Sequence, residues 1–248
     1  MISNQNADKT PTDDRSVALG IDTLTLPAPV KGYLRDCVVN AVGVGSLDVE
    51  LDVSTVVADM PGVDADPDGT ASCHHLTLPD DTGDTGAVTL TRSGSYVLTG
   101  VDSVERLDGL AATLAEEFAA CGIEMDPHGY EVRNLVASVD LFDAADLVAE
   151  CGPIAADVDR VTADGGEREP VPEDDRQLNL GAAVLALGLT RTEYNPELFP
   201  GAIYDAPSGC STLLFNNGSA IVTGGRTFES IWTTLDGLAT DLDDHGLI

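Results

Sequence analysis

Positive charge is the scarcest thing in this chain. Lys9 and Lys31 are its two lysines, and 12 Lys plus Arg stand against 43 Asp plus Glu in 248 residues, a formal net charge of −31. By simple electrostatics such a chain avoids nucleic acid. It also repels itself unless salt intervenes, and in molar salt the Debye length is only about 3 Å. The acids are spread along the sequence, not gathered in one tail. That pattern suits a protein of a halophile cytoplasm. Paired cysteines are missing too. Cys37, Cys73, Cys121, Cys151 and Cys210 are odd in number, far apart and without a CxxC. This excludes a disulfide framework and fits a reducing compartment. The opening MISNQNADKTPTDDRS has no apolar core, so a signal peptide is not expected. No apolar run approaches the length of a membrane span. GxSxG, P-loop, HExxH and GxGxxG motifs are all absent, and carboxylates this abundant carry no catalytic signal. We therefore expect no enzyme and no cofactor. Cys73-His74-His75 hints at a metal, but neighbours on a strand point to opposite faces, so no metal site is expected either. Aromatics are few, with five Phe, five Tyr and one Trp.

What is present is a duplication. Strands are predicted over residues 37–44, 75–78, 87–90 and 96–99, with a short helix over 52–60. A long helix N-capped by Ser103 carries Leu107, Leu110, Leu114 and Phe118 at helical spacing and stops at Gly122. The pattern then returns. Val132-Arg133-Asn134-Leu135-Val136 parallels Val38-Val39-Asn40-Ala41-Val42. Tyr96-Val97-Leu98-Thr99-Gly100 parallels Ala220-Ile221-Val222-Thr223-Gly224, and Leu107-Asp108-Gly109-Leu110-Ala111 is repeated at Leu235-Asp236-Gly237-Leu238-Ala239. The spacing between copies widens after the first landmark, which places an insertion in the second copy at about 144–177, an acidic surface loop with a helix over 144–151. The chain divides into a disordered acidic tail (1–32), repeat one (33–126) and repeat two (127–248). Such a duplication implies an α+β, pseudo-twofold molecule in which each antiparallel sheet is covered by a short and a long helix.

Residues 193–226 are the most informative. Strands over 211–215 and 220–223 flank Asn216-Asn217-Gly218, a hairpin signal. Neither side of this ribbon is polar. Leu213, Phe215, Ile221 and Thr223 share one face, and Leu214, Ala220 and Val222 the other. One face needs helices; the other needs a different partner. Phe199 sits at the corner leading into a third strand over 202–205, placed either to plug the core or to act as a wedge.

Tyr194-Asn195-Pro196-Glu197-Leu198-Phe199-Pro200-Gly201-Ala202-Ile203-Tyr204, then Leu213-Leu214-Phe215 with Gly218, then Ile221-Val222-Thr223-Gly224, resembles the second repeat of TATA-box-binding proteins, the archaeal members above all. The resemblance extends over most of 33–248 outside the insertion. It implies a saddle of ten antiparallel strands under four helices. The underside would sit in the minor groove of double-stranded A·T-rich DNA with Phe wedges between base steps, a mode for which this family is the known example. The A·T minor groove offers acceptors only, which suits an apolar sheet carrying a few amides. The resemblance assigns Asn40 and Asn134 as base donors. It assigns Val42, Val97 and Thr99 to the groove floor of repeat one, and Val136, Leu213, Ile221 and Thr223 to that of repeat two. Phe199 and Phe215 become the wedges and Arg226 a phosphate contact. Tyr194, Glu197 and Leu198 match the stirrup that docks a transcription factor B protein. The implied role is a transcription initiation factor, a monomer on DNA, with a dimer in its absence as the alternative. The sequence departs from the pattern in repeat one. Thr91 stands at a wedge position and Thr89 at a floor position, and the second wedge falls near Cys73-His74-His75, with no Phe. Ser95, Ser219, Asp205 and Asp102 replace expected cations. These departures raise the alternative of a divergent paralogue that regulates through protein contacts.

Overall fold

The computed structural model describes residues 26–65, 70, 72–79, 83–151 and 176–248. Most of the tail and of the insertion therefore lies outside the described residues. In chain order the elements are α1 (Ala28–Cys37), β1 (Val38–Ser46), α2 (Val53–Asp59), β2 (Asp64–Ala65), β3 (Cys73–Pro79), β4 (Thr85–Thr91), β5 (Ser95–Val101) and α3 (Val104–Ala120). There follow β6 (Tyr130–Asp140), α4 (Leu141–Cys151), α5 (Leu180–Leu187), β7 (Thr192–Tyr194), β8 (Ala202–Asp205), β9 (Ser211–Leu214), β10 (Ser219–Gly225) and α6 (Phe228–Asp244).

All ten strands form one antiparallel sheet in the order β2-β3-β4-β5-β1-β6-β10-β9-β8-β7. Reading outward from the central β1–β6 pair, each half has the same succession of strands. This is the pseudo-twofold arrangement that the duplication implies, and the saddle that the resemblance implies. Bulges interrupt the ladder in β1 near Ala41–Gly43 and in β10 between Val222 and Gly225. Extra residues of this kind bend a strand and increase its twist, which curves an open sheet.

The alternation along each strand decides what the helices cover. Ala41, Leu98, Leu135, Ala137, Leu214, Ala220 and Val222 are buried on the upper face. Over repeat one lies α3, whose Leu107, Leu110, Leu114 and Phe118 are fully buried. Ser103 accepts from the Arg106 N–H at 3.1 Å and starts that helix. Over repeat two lies α6, burying Ile231, Trp232, Leu235, Leu238 and Leu242. Its capping box is formed by Thr227 and Ser230.

Three expectations change. Helix α1 begins at Ala28 and buries Val30 and Leu34, so the last residues of the tail expected over 1–32 are helical. Its Tyr33 hydroxyl donates to the Asp140 carbonyl at 3.2 Å, and burial raises the Tyr33 pKa. The described residues contain six helices, not four, because α1 and α4 join the short and long pairs. Helix α4 starts at Leu141, ahead of the expected 144, with Leu141, Ala144 and Val148 buried.

Candidate nucleic-acid interface

The lower face of the sheet is built by the residues that alternate with the core. Asn40 and Val42 (β1), Val97 and Thr99 (β5), Asn134 and Val136 (β6), Leu213 (β9), and Ile221 and Thr223 (β10) are all half-buried, each between buried neighbours or beside a strand end. The helices cover the opposite face, and on this one Val42, Val97, Val136, Leu213 and Ile221 are interspersed with the polar Asn40, Thr99, Asn134 and Thr223. The sheet gathers these nine predicted residues onto one surface.

At its centre lies a reciprocal pair. Asn40 stands opposite Val136, and Asn134 opposite Val42, across the β1–β6 ladder. Each asparagine is clamped in the same way. The Gly100 N–H donates to Asn40 Oδ1 at 3.1 Å, and the Thr99 hydroxyl does so at 3.3 Å. The Gly224 N–H donates to Asn134 Oδ1 at 2.7 Å, and the Thr223 hydroxyl at 3.4 Å. Gly100 and Gly224 have φ values of 79° and 87°, in the left-handed region that glycine adopts without strain. This conformation turns the N–H of each Thr-Gly step toward the neighbouring strand's amide. Because a backbone N–H only donates, it must meet the amide oxygen. The –NH2 groups of both asparagines are thereby fixed as donors at the centre of the underside. Asn134 Nδ2 also lies 3.3 Å from Thr223 Oγ1.

At the outer end of repeat two, Phe199 and Phe215 pack edge to face, with ring centroids 5.9 Å apart and planes at 65°. Both are half-buried. Phe199 is thus neither a sealed core plug nor a free side chain. Gly201 makes the arrangement possible: a Cβ there would lie 2.7 Å from Phe199 Cε1 and 3.1 Å from Phe215 Cε1. Arg226, just beyond β10, is exposed.

The connection from β7 to β8 holds the remaining predicted residues. The N–H groups of Leu198 and Phe199 both donate to the Asn195 carbonyl at 3.0 Å, and the Glu197 N–H donates to Asn195 Oδ1 at 3.2 Å. This turn presents Leu198 at 85% exposure, with Tyr194 and Glu197 exposed beside it. These three are brought together, away from the asparagine pair.

The sheet adds Glu193, Ile203 and His75 to this surface and places Asp205 and Thr89 on it. Glu193 pairs with Ile203, and Ile203 with Leu213, which extends the underside to the edge strand β7. Asp205 lies on the same face and accepts from the Ser211 hydroxyl at 2.6 Å. On the repeat-one side, His75 Nδ1 lies 3.0 Å from Thr89 Oγ1. The register also relates the two repeats. Thr89 pairs with His75 as Leu213 pairs with Ile203, so His75 holds the repeat-one place of Ile203. Among the described residues no cluster of His, Cys, Asp and Glu is fit to hold a metal ion. No helix among them is long and apolar enough to cross a membrane.

Comparison with known proteins agrees with this architecture. The family model described as transcription factor TFIID (or TATA-binding protein, TBP) matches residues 175–245. TATA-box-binding protein C of Halobacterium salinarum is 30% identical over 199 residues, 78% of this chain and 89% of that protein. TATA-box-binding protein 2 of Haloferax volcanii is 27% identical over 214 residues, 85% of this chain and 93% of that protein. Among solved structures, Methanococcus jannaschii TBP superimposes with a TM-score of 0.59 at 20% identity, covering 84% of this chain and 97% of that one, which shows a common fold. With a saddle of this strand order and relatives of this extent, the chain belongs to the TATA-box-binding protein family.

Proposed function

We propose that this chain is a general transcription initiation factor that holds A·T-rich promoter DNA against its underside, in the minor groove, and recruits a transcription factor B protein through the Tyr194–Glu197–Leu198 corner. The observation that carries the proposal is the clamped asparagine pair. Two side chains at the centre of the face have their amide oxygens taken up by the Thr-Gly steps, which leaves amide N–H groups as the donors they can offer a ligand. An A·T minor groove presents only acceptors along its floor, so the two surfaces complement each other. Val42, Val97, Thr99, Val136, Leu213, Ile221 and Thr223 line the groove floor beside them. Phe199 and Phe215 wedge into a base step, and Arg226 reaches a phosphate. The exposed, apolar-tipped and acidic corner suits a partner surface that is apolar and basic. The mirrored strand succession supports a division into two repeats, which we set at 33–126 and 127–248.

Charge sets the conditions. Asp205 lies on the underside, and Asp102 occupies the repeat-one position equivalent to Arg226, paired with Arg106 at 3.1 Å. Acids near phosphates repel DNA at low salt and share cations with it at high salt. The test is fluorescence anisotropy with an A·T-rich duplex across a KCl series up to molar concentrations, with and without factor B protein. Binding that holds level or rises with KCl, and tightens with factor B, is the expected outcome. Loss of binding with salt at the slope of an ordinary basic protein would refute the cation-sharing account. An absence of binding at every salt would refute the DNA role.

A further inference from the structure

We infer, resting on the DNA-binding reading above, that this protein kinks its duplex at one end of the site only, through the second repeat. Among the described residues a pair of stacked phenylalanines occurs once on the underside. Phe199 and Phe215 stack edge to face over Gly201 at the outer end of repeat two. The sheet register fixes what stands at the opposite end. Thr89 pairs with Val97 and His75, as Leu213 pairs with Ile221 and Ile203. Thr91, two residues beyond Thr89, therefore occupies the place of Phe215.

Thr91 is also committed elsewhere. Its hydroxyl donates to the Ser95 carbonyl at 3.0 Å and lies 3.0 Å from Ser93 Oγ. Ser93 in turn donates to Ser95 Oγ at 3.2 Å. The repeat-one end of the underside is a hydrogen-bonded polar turn, where repeat two has an aromatic pair. Separating stacked bases requires an apolar body that replaces the lost stacking contacts. Threonine lacks the reach, and a hydroxyl bonded to its own turn gains nothing by entering the stack.

The single wedge has a consequence for the ligand. Pyrimidine–purine steps such as TA unstack most readily, whereas A-tracts are stiff. The DNA class this chain prefers is an A·T-rich duplex with a flexible step at one end and no such requirement at the other. Binding polarity is then set by which end carries that step.

The test uses the full chain and an A·T-rich duplex with a TA step at each end, in molar KCl. Permanganate oxidises unstacked thymines, and scoring both ends of the same duplex molecule removes any ambiguity of orientation. Each complex is expected to show enhanced reactivity at one end and none at the other. Removing one TA step should leave a single preferred orientation. The bend, read by energy transfer between the duplex ends, should vanish in Phe199→Ala/Phe215→Ala and increase in Thr91→Phe. Reactivity at both ends of the same duplex overturns the inference while leaving DNA binding intact. So does a double-alanine variant that still bends DNA at least half as much as the parent. Failure of the parent chain to bind overturns the DNA reading and this inference with it.

Discussion

Replacing Asn134 by aspartate separates two jobs that the wild-type side chain performs together. Its Oδ1 accepts the Gly224 N–H at 2.7 Å, which is a structural contact, and its amide nitrogen, 3.3 Å from Thr223 Oγ1, has a second N–H to offer on the underside. Aspartate keeps an acceptor oxygen for Gly224 and loses every N–H. Folding should change by less than about 1 kcal/mol, which for a chain of this size shifts Tm by only about 2–4 °C. Alanine instead removes the acceptor as well, and should cost about 1 kcal/mol of stability for the lost hydrogen bonds. Recognition should respond differently. A good base contact is worth about 1–3 kcal/mol, so either variant should lose roughly 5- to 150-fold in affinity for A·T-rich duplex. Molar KCl keeps the added carboxylate from dominating, because its field is screened beyond about 3 Å. The equivalent clamp predicts the same split for Asn40. Thermal unfolding and anisotropy on the same preparations provide the assay. If Asn134→Asp binds like the parent in molar salt, the amide does not donate to DNA, and the complementarity argument for A·T sequence fails.

Three further substitutions probe the frame around the site. Gly201→Val should push Phe199 and Phe215 apart, since even a Cβ would lie 2.9 Å from the Leu214 carbonyl; a stability loss of about 1–3 kcal/mol and a weakened DNA bend are expected, and an unchanged bend would refute the role of Gly201. Thr227→Ala breaks the capping box of α6 and should cost about 1 kcal/mol in urea unfolding while leaving DNA affinity unchanged. Tyr33 titrates higher in the folded chain than its ordinary value of 10.0, first through burial and then through the neighbouring Cys37. The folded state therefore retains a proton that the unfolded state loses, and stability must fall as pH rises above about 10. Tyr33→Phe should lose about 1 kcal/mol at neutral pH, where the bond to the Asp140 carbonyl is present, and show a flatter alkaline limb. An alkaline limb identical to the parent's would mean that other groups, such as Tyr96 and Tyr204, whose pKa values burial also raises, carry that dependence.

Strong local periodicity is what made much of the fold legible. The stripe of Leu107, Leu110, Leu114 and Phe118, capped by Ser103, and the alternation of Leu213 with Leu214 translate directly into burial, because each depends on neighbours a few residues away. Helix α5 was not legible. Its run Leu180-Gly181-Ala182-Ala183-Val184-Leu185-Ala186-Leu187 is apolar on every side, so no stripe distinguishes it, and Leu185 is 69% exposed. Strand β7 was missed because three residues are too few to show a period, and its pairing with β8 comes from the sheet.

The candidate site divides in the same way. The amino-acid order alone determined the duplication and the two faces of the hairpin, which are matters of composition and spacing. The wedge roles of Phe199 and Phe215, and Thr91 as a counterpart, are what the resemblance to TATA-box-binding proteins implies. Only the tertiary structure decided which atoms face outward. The orientation of each asparagine amide is set by a glycine N–H on a neighbouring strand, Gly100 for Asn40 and Gly224 for Asn134, more than fifty residues away. The placement of Asp205 on the underside and the seat for two phenylalanine rings over Gly201 likewise depend on cross-strand register and curvature. Register is a property of paired strands, so no single stretch of sequence contains it.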